Sequence, residues 1–435
     1  QRFPLRIESY GSKGAKKSKE ANRADIWLSS PYRREYDEWG FAPELSPEEC
    51  EAVNIETGRR RLLNTYRGWG VGLNNEGLAA CPRFAELINE VIANGDATVA
   101  RYLWTWFADI FQRPAEKPGV ALYLYSPEKG TGKGTLFRTI GYLLGRYYQL
   151  VQSADQVAGQ WNLHLADKLL IFFDEANGLE GRDKSDKLNS LITEAEFAGS
   201  EKFAPLQTCR AYARFAFAAN RDDSISIKIQ DRRYAAIRVS PKRRRDNRFF
   251  ELLNKELFAP CEAPAGGLDV NRAARGEYRG LSGLMYHLLK VVTPADRSSE
   301  EATVAVNDRP ELGGSVNLRE IPMTDLRQKM MLSSLEGVEA FIFSSACVNQ
   351  HMGFVDRSVG GARTEKVPVS WRQDDSFTVV ASEFSDLYNR WAKEHKQRPI
   401  ASGAAKALAS VFTTIVSEEN SEGVRVPVEK VQPDW

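Results

Sequence analysis

Four short apolar segments alternate with helical patterns between residues 119 and 240 of this 435-residue chain. Each is short and apolar enough to form a buried strand, and a helical pattern follows the first and the second. Strands that are joined through helices favour parallel pairing, so the alternation predicts an α/β fold with a parallel sheet. The apolar segments are GVALYLYS (119–126), DKLLIFFDEAN (167–177), YARFAFAANRD (212–222) and RRYAAIRVS (232–240). The helical patterns are LFRTIGYLLGRYYQLV (136–151) and KLNSLITEAEF (187–197).

The length and the changes of pattern divide the chain into five segments. The second segment holds two helical patterns that are split by Asn94, Gly95 and Asp96, which are typical of a turn. The segments are an N-terminal tail and lead-in (1–75), a helical collar-like segment (76–117), the α/β core (118–240), a helical and linker segment (241–332) and a C-terminal domain (333–435).

The composition argues against several classes of protein. The net charge of +1 gives no global basic excess, so any surface that binds nucleic acid has to be local. Five scattered cysteines and four scattered histidines indicate neither a zinc site nor a disulfide framework. No apolar run approaches the roughly 20 residues that span a bilayer. We therefore expect no membrane partner and a cytoplasmic location, in a bacterium or a host cell. Because the chain begins at Gln1, we also expect it to be part of a longer protein.

The stretch SPEKGTGKGTL (126–136) joins the first predicted strand to the first predicted helix. It matches the phosphate-binding loop G-x-x-x-x-G-K-S/T except that Pro127 replaces the first glycine and Gly134 replaces the Ser or Thr. Glycines let the backbone fold around phosphate, the helix start attracts the anion, and a lysine reaches the terminal phosphates. The alternative is an ordinary glycine-rich turn. The predicted binding residues are Gly130, Thr131, Gly132, Lys133, Gly134 and Thr135, with Thr135 as the hydroxyl for Mg²⁺.

Polar residues follow the next two predicted strands, at the edge of a parallel sheet where ligands bind. Asp174 is predicted to hold Mg²⁺, directly or through water, and Glu175 to polarise the attacking water. Asn220 is predicted to contact the γ-phosphate of ATP and to position that water. The alternatives are a solvated acidic turn for the carboxylates and a simple turn for the asparagine.

Arg232 and Arg233 precede the fourth predicted strand. An arginine here is predicted to stabilise transition-state charge on ATP that is bound by a neighbouring subunit. Arg232 is preferred and Arg233 stays open, and the alternative is a surface ion pair.

Together these stretches resemble the superfamily 3 helicases, and most closely the ATPase module of phage, plasmid and poxvirus-type primase–helicases. The resemblance covers roughly residues 60–290. It implies a P-loop, AAA+-like parallel-sheet ATPase with a helical N-terminal segment and a C-terminal winged-helix-like region. The motifs are GTGKGTL, QWNLHLADKLLIFFDEAN, LITEAEFAGSEKFAP, FAFAANRD and DRRYAAIRVS.

The resemblance also implies partners. The family forms hexameric rings with ATP and Mg²⁺ at the subunit interfaces, and it acts on single-stranded or forked DNA during replication. Lys202 and Phe203 match the segment that contacts DNA in the ring channel. A primase domain upstream of Gln1, or a separate primase, is a further partner that the family leaves open. The basic residues Lys393, Lys396, Arg398 and Lys406 are further candidates for contact with DNA phosphates, with a solvated helical face as an equal alternative. The run Lys242 to Arg245 either lines a channel or is simply exposed.

Three functions are consistent with the sequence. The first is an ATP-driven ring translocase that unwinds DNA. The second is a nucleotide or small-molecule kinase that uses the Gly-Lys-Gly-Thr loop. The third is a DNA-binding protein with an impaired ATPase site, which the changes at Pro127 and Gly134 keep open. The retained Lys133, Asp174 and Glu175 favour the first.

Overall fold

The computed structural model divides the chain into two compact units, residues 1–68 and 69–435. No helix among the described residues is long and apolar enough to cross a membrane. The structure describes residues 4–10, 16–51, 61–153, 155–159, 162–175, 182–202, 205–221, 225, 227, 231–260, 268–295, 316–334, 340–341, 351–359, 363–370, 376–399 and 423–427.

The described residues of the first unit form two small sheets and two short helices. An antiparallel hairpin joins β1 and β2, and the short strands β3 and β4 pair in parallel. The sequence does not predict the hairpin, because the apolar alternation in PLRIESY is short and lies in a polar region. The elements are β1 (Pro4–Tyr10), β2 (Lys16–Asn22), α1 (Arg23–Leu28), β3 (Glu38–Gly40), α2 (Pro47–Glu51) and β4 (Leu62–Asn64).

In the second unit, both helical patterns predicted before the central sheet form helices, which follow a 3-10 helix at Gly77–Ala80. The first, α3 (Pro82–Glu86), continues as a π-helical turn over Leu87–Ile92, and the second is α4 (Ala97–Gln112). Between them, Asn94 and Gly95 have positive φ angles of 54° and 78°. The Asp96 carboxylate then accepts hydrogen bonds from the backbone of Thr98 and Val99, which caps α4. The predicted break is confirmed.

A five-stranded parallel sheet forms the centre of the second unit, which confirms the predicted α/β fold. The strand order is β11-β5-β10-β7-β6, so the first strand of the sheet lies between two strands that are distant in sequence. Both faces are covered, and β5 and β10 are buried along their whole length. The strands are β5 (Ala121–Tyr125), β6 (Tyr148–Val151), β7 (Leu170–Asp174), β10 (Arg214–Ala219) and β11 (Tyr234–Arg238).

The first predicted helix is too long, and its end forms an edge strand. Helix α5 covers Lys133–Leu144 and stops at Gly145, where φ is 60°. The last four residues of the predicted helix are β6, which pairs with β7. Glycine ends the helix because it tolerates this backbone, and the Tyr-Gln-Leu-Val strand gains ladder hydrogen bonds that periodicity does not reveal.

The segments between the sheet strands include a short helix, a longer helix and a β-hairpin. Helix α7 ends earlier than the predicted pattern at 187–197, because Glu196 and Phe197 pair with Arg210 and Cys209. The elements are α6 (Asp155–Ala158), α7 (Arg182–Thr193), β8 (Glu196–Gly199) and β9 (Gln207–Arg210).

Beyond the sheet, helices precede two antiparallel strand pairs, β12–β13 and β14–β15. Residues 401–416 lie outside the described residues, so the winged-helix-like region stays a prediction. The elements are α8 (Asn247–Phe258), α9 (Val270–Ala274), α10 (Arg279–Tyr286), α11 (Asp325–Ser333), β12 (His351–Val359), β13 (Arg363–Ser370), β14 (Ser376–Val380), α12 (Ala381–Glu394) and β15 (Gly423–Pro427).

A buried ion pair joins α4 to the sheet. The side chains of Arg214 on β10 and Asp109 on α4 are 0% and 1% exposed, and Arg214 Nη2 lies 2.9 Å from Asp109 Oδ2. The same nitrogen donates to the carbonyl oxygens of Asp109 and Arg113, at 3.1 and 2.7 Å. Both carbonyls also accept a backbone hydrogen bond, from Arg113 N and Glu116 N respectively, so the guanidinium is a second donor at the end of α4.

We predict that Arg214→Met lowers the free energy of unfolding by about 3–5 kcal/mol, because the Asp109 carboxylate would stay buried without its partner. Urea denaturation followed by circular dichroism measures the change. The double variant Arg214→Met with Asp109→Leu should recover much of the loss, since it removes both charges. A loss below about 1 kcal/mol in Arg214→Met would contradict the assigned role.

Candidate nucleotide-binding site

Three neighbouring strands of the sheet end at the predicted phosphate loop, the predicted carboxylates and the predicted asparagine. Ser126 follows β5, Asp174 is the last residue of β7, and Asn220 follows β10. Because β5, β10 and β7 are adjacent and parallel, all three residues lie at the carboxyl edge of the sheet. Ligands of open α/β sheets bind at this edge, where the strand order changes direction.

The loop after β5 has the backbone geometry of an anion cradle. Gly130 and Gly132 have φ angles of 78° and 101°, a region that glycine adopts without strain. A Cβ atom on Gly132 would lie 2.8 Å from Leu87 Cδ1, so a side chain there would have to displace Leu87. Helix α5 begins directly afterwards at Lys133, which places free N–H groups of its first turn beside the loop.

The Lys133 ammonium is fixed between two strand ends. Its Nζ donates to the carbonyl oxygen of Ala219 at 3.2 Å, to Asn220 Oδ1 at 3.3 Å and to the Ser126 carbonyl at 3.5 Å. The residue is 8% exposed, and this burial lowers the pKa of Lys133 to about 8. The negative charges of Asp174, Glu128 and Glu175 partly oppose the decrease. The structure therefore brings the predicted Lys133 and Asn220 into direct contact.

The two predicted carboxylates differ in their surroundings. Asp174 is exposed at the end of β7, where it is available to a cation. Glu175 has a φ angle of 64°, a conformation that costs a non-glycine residue about 1–3 kcal/mol and is concentrated at functional sites. Its Oε1 lies 2.8 Å from Lys129 Nζ, and this hydrogen-bonded cation lowers the pKa of Glu175. Lys129 was not selected from the sequence, because it fills a variable position of the loop pattern.

The loop residues fit a bound triphosphate and Mg²⁺. Thr131 is 1% exposed, and its Oγ1 has no hydrogen-bond partner among the described residues, so it can bond to a ligand. A Cβ on Gly134 would meet no heavy atom within 4 Å, so packing does not exclude the hydroxyl that is usual there.

No cluster of three metal-binding side chains occurs in the described parts of the chain. Mg²⁺ does not need one, because it binds to one or two protein groups, phosphates and waters. Asp174 and Thr135 therefore stay the predicted protein ligands of Mg²⁺.

The structure distinguishes the two candidate arginines. Arg233 forms a two-pronged ion pair with Asp231, with distances of 3.0 and 3.1 Å from Nε to Oδ1 and from Nη2 to Oδ2. Arg232 is exposed, and its side chain makes no hydrogen bond or ion pair with the described residues. Both precede β11 and so lie at the amino edge of the sheet, opposite Lys133.

The predicted DNA contacts are only partly described. Lys202 is exposed in the loop of the β8–β9 hairpin, at the position that the resemblance implies. Phe203 and Lys406 lie outside the described residues. Lys393, Lys396 and Arg398 are exposed at the end of α12 and just after it. These positions are compatible with contact to DNA phosphates, and they stay predictions.

The part of the chain that contains the site matches the model of a protein family. Residues 124–233, which include the loop, both carboxylates, Asn220 and the two arginines, match the model of a family of unknown function, DUF5906. No curated protein matches the chain.

Solved structures share the fold. One is "The apo structure of NrS-1 C terminal region (305-718)", with a TM-score of 0.55 and 14% identity over 90% of this chain and 84% of that chain. Another is the A form of the same region, with a TM-score of 0.53 and 13% identity over 89% and 84%. A third, "The A form apo structure of NrS-1 C terminal region-CTR", has a TM-score of 0.47 and 16% identity over 70% of this chain and 63% of that chain, which is too low to support an argument. Similarity at these identities concerns the fold alone.

We predict that ATP affinity falls as pH rises above about 8, by up to about tenfold per pH unit, because phosphate binding requires the protonated Lys133. Below that pH the ammonium is already present, and above it binding has to take up a proton. Titration calorimetry between about pH 7.5 and about pH 9.5 measures the profile. Lys133→Arg, which stays charged throughout, should give a flat profile. A flat profile in the unmodified protein would contradict the assigned pKa.

Proposed function

We propose that this protein is an ATP-driven, ring-forming DNA helicase or translocase of the superfamily 3 type. It would act in the replication of a phage or another mobile genetic element. The observation that carries the proposal is the contact of Lys133 with Asn220 and with the ends of β5 and β10, beside Asp174 and Glu175. The strand order β11-β5-β10-β7-β6 agrees with an AAA+-like ATPase, and the similarity of fold to the NrS-1 C-terminal region is consistent with it.

Different residues would have different roles in ATP hydrolysis. The loop N–H groups and Lys133 hold the β- and γ-phosphates, and Asp174 with Thr135 would hold Mg²⁺, which when bound neutralises charge on those oxygens. Asn220 orients the attacking water, and Glu175 accepts its proton. The water oxygen bonds to the γ-phosphorus while the bond from that phosphorus to the β–γ bridging oxygen breaks, which leaves ADP and phosphate.

Glu175 has to leave Lys129 before it can act as the base. The pair is largely exposed, with the two side chains 72% and 49% accessible, so it is weakly held. A bound triphosphate offers Lys129 a more highly charged partner, which would free Glu175 to contact the water.

Arg232 would complete the site of a neighbouring subunit. Strand β11 is five residues long, so it separates Arg232 from the carboxyl edge by about 16 Å. This exceeds the reach of an arginine side chain, and Arg232 therefore cannot serve its own subunit's site. A ring in which one subunit's amino edge faces the next subunit's loop gives this residue a function. Lys202, on its hairpin, would contact the DNA backbone in the channel.

The first test measures ATP hydrolysis with Mg²⁺, with and without single-stranded DNA. We expect stimulation by DNA, and we expect Lys133→Ala to abolish hydrolysis because the phosphates lose their main cation. Lys255→Ala, a change at an exposed lysine of α8, is the matched control and should behave like the unmodified protein. Transfer of phosphate to a nucleotide acceptor would favour the kinase instead. Absence of hydrolysis with retained DNA binding would favour a DNA-binding protein with an impaired site.

The second test addresses the arginine supplied between subunits. Arg232→Ala should lower kcat by about 10³-fold or more with little effect on ATP binding, whereas Arg233→Ala should mainly reduce stability through loss of the Asp231 pair. Equal mixing of Arg232→Ala and Lys133→Ala subunits should restore about one quarter of the activity, because that share of interfaces is intact. No recovery on mixing, under conditions where subunits exchange, would contradict the arrangement.

A further inference from the structure

The basic run that follows β11, Lys242 to Arg245, is not a free DNA-binding patch. Three of its four side chains are neutralised by acidic partners. Lys242 Nζ lies 2.8 Å from Glu90 Oε2, Arg243 Nη2 lies 2.6 Å from Glu86 Oε1, and Arg244 Nη1 lies 3.7 Å from Glu128 Oε1. Because the charges are paired, the run carries little net positive charge toward DNA.

These partners surround the phosphate loop. Glu86 and Glu90 belong to α3 and its π-helical turn, whose Leu87 packs against Gly132, and Glu128 is within the loop. Backbone hydrogen bonds join the same segments. Ser240 N donates to the Val91 carbonyl at 2.8 Å, and Arg245 N donates to the Gly130 carbonyl at 3.0 Å. The run is therefore joined to the loop and to the preceding helices by backbone hydrogen bonds and ion pairs.

Arg245 differs from its three neighbours. Its guanidinium is exposed and makes no hydrogen bond or ion pair with the described residues. Its Cγ lies 3.3 Å from the position that a Cβ on Gly130 would occupy, so the side chain starts against the loop itself. Its φ angle is 54°, a left-handed conformation that disfavours arginine. An unpaired cation in a strained backbone, in contact with the loop, is a feature of ligand sites rather than of solvated surfaces.

We propose that Arg245 binds the phosphate chain of the nucleotide in its own subunit. The inference rests on the proposed function and adds a binding residue to it. The guanidinium forms charge-assisted hydrogen bonds with phosphate oxygens, whose planar fork geometry it matches. It is distinct from Arg232, which would act on the neighbouring subunit. A side chain in place of Gly130 would crowd the Arg245 stem, and the positive φ angle of Gly130 also favours glycine there.

Titration calorimetry with ATP and with inorganic tripolyphosphate, in Mg²⁺, tests the inference through Arg245→Gly. We expect about tenfold weaker binding of both ligands, since one charge-assisted contact is lost. The thermal midpoint of the ligand-free protein should stay the same or rise, because glycine adopts the positive φ angle without strain. Arg245→Lys keeps the charge and should retain most of the affinity. Arg248→Ala removes an exposed arginine on the next helix and should leave binding unchanged.

Each outcome supports or overturns the assignment of Arg245 to phosphate binding. Loss of affinity for ATP but not for tripolyphosphate would place Arg245 on the base or ribose and overturn the inference. A lower thermal midpoint together with weaker binding would show a structural role and overturn it as well. If Lys133→Ala loses ATP but Arg245→Gly binds normally, this inference fails while the proposed function stands. If the unmodified protein binds neither ligand, both fail.

Discussion

The second unit depends on the interactions of the buried Arg214 guanidinium. It pairs with Asp109 and bonds to carbonyls at the end of α4, and it does so from the first residue of β10. One side chain therefore sets the position of the helical segment relative to the strand whose other end carries Asn220. A buried cation with fixed acceptors tolerates little displacement, because any shift leaves charge without compensation. The geometry of the site is in this way linked to the helices that precede it.

The same helices contribute to the phosphate loop from the other side. Leu87 fills the space beside Gly132, and Glu86 and Glu90 hold the basic run that contacts Gly130. The strand ends fix Lys133, and this run contacts the loop backbone at Gly130. A loop with two non-consensus positions keeps its shape for this reason. Gly130 and Gly132 supply its positive φ angles, and Gly134 does not.

Much of the fold was predictable, because the apolar strands and the break at Asn94 to Asp96 are local signals. The strand β6 was not, because Tyr148–Val151 continues a helical pattern and becomes a strand only by pairing with β7. The candidate site was predictable to the extent that residues follow strand ends. Lys129 and Arg245 were not selected as site residues, since a lysine in a loop and an arginine in a basic run carry no distinguishing pattern in sequence.

The sequence by itself determined the chemistry at the sheet edge: a glycine-rich turn with a lysine, then carboxylates and an asparagine after apolar strands. Those features are local, so composition and spacing specify them. Only the tertiary structure decided which charges are paired. Arg233 is held by Asp231 while Arg232 is not, and Arg245 is unpaired while the rest of its run is neutralised. Such pairing depends on side chains that are distant in sequence and become neighbours when the strands take their order.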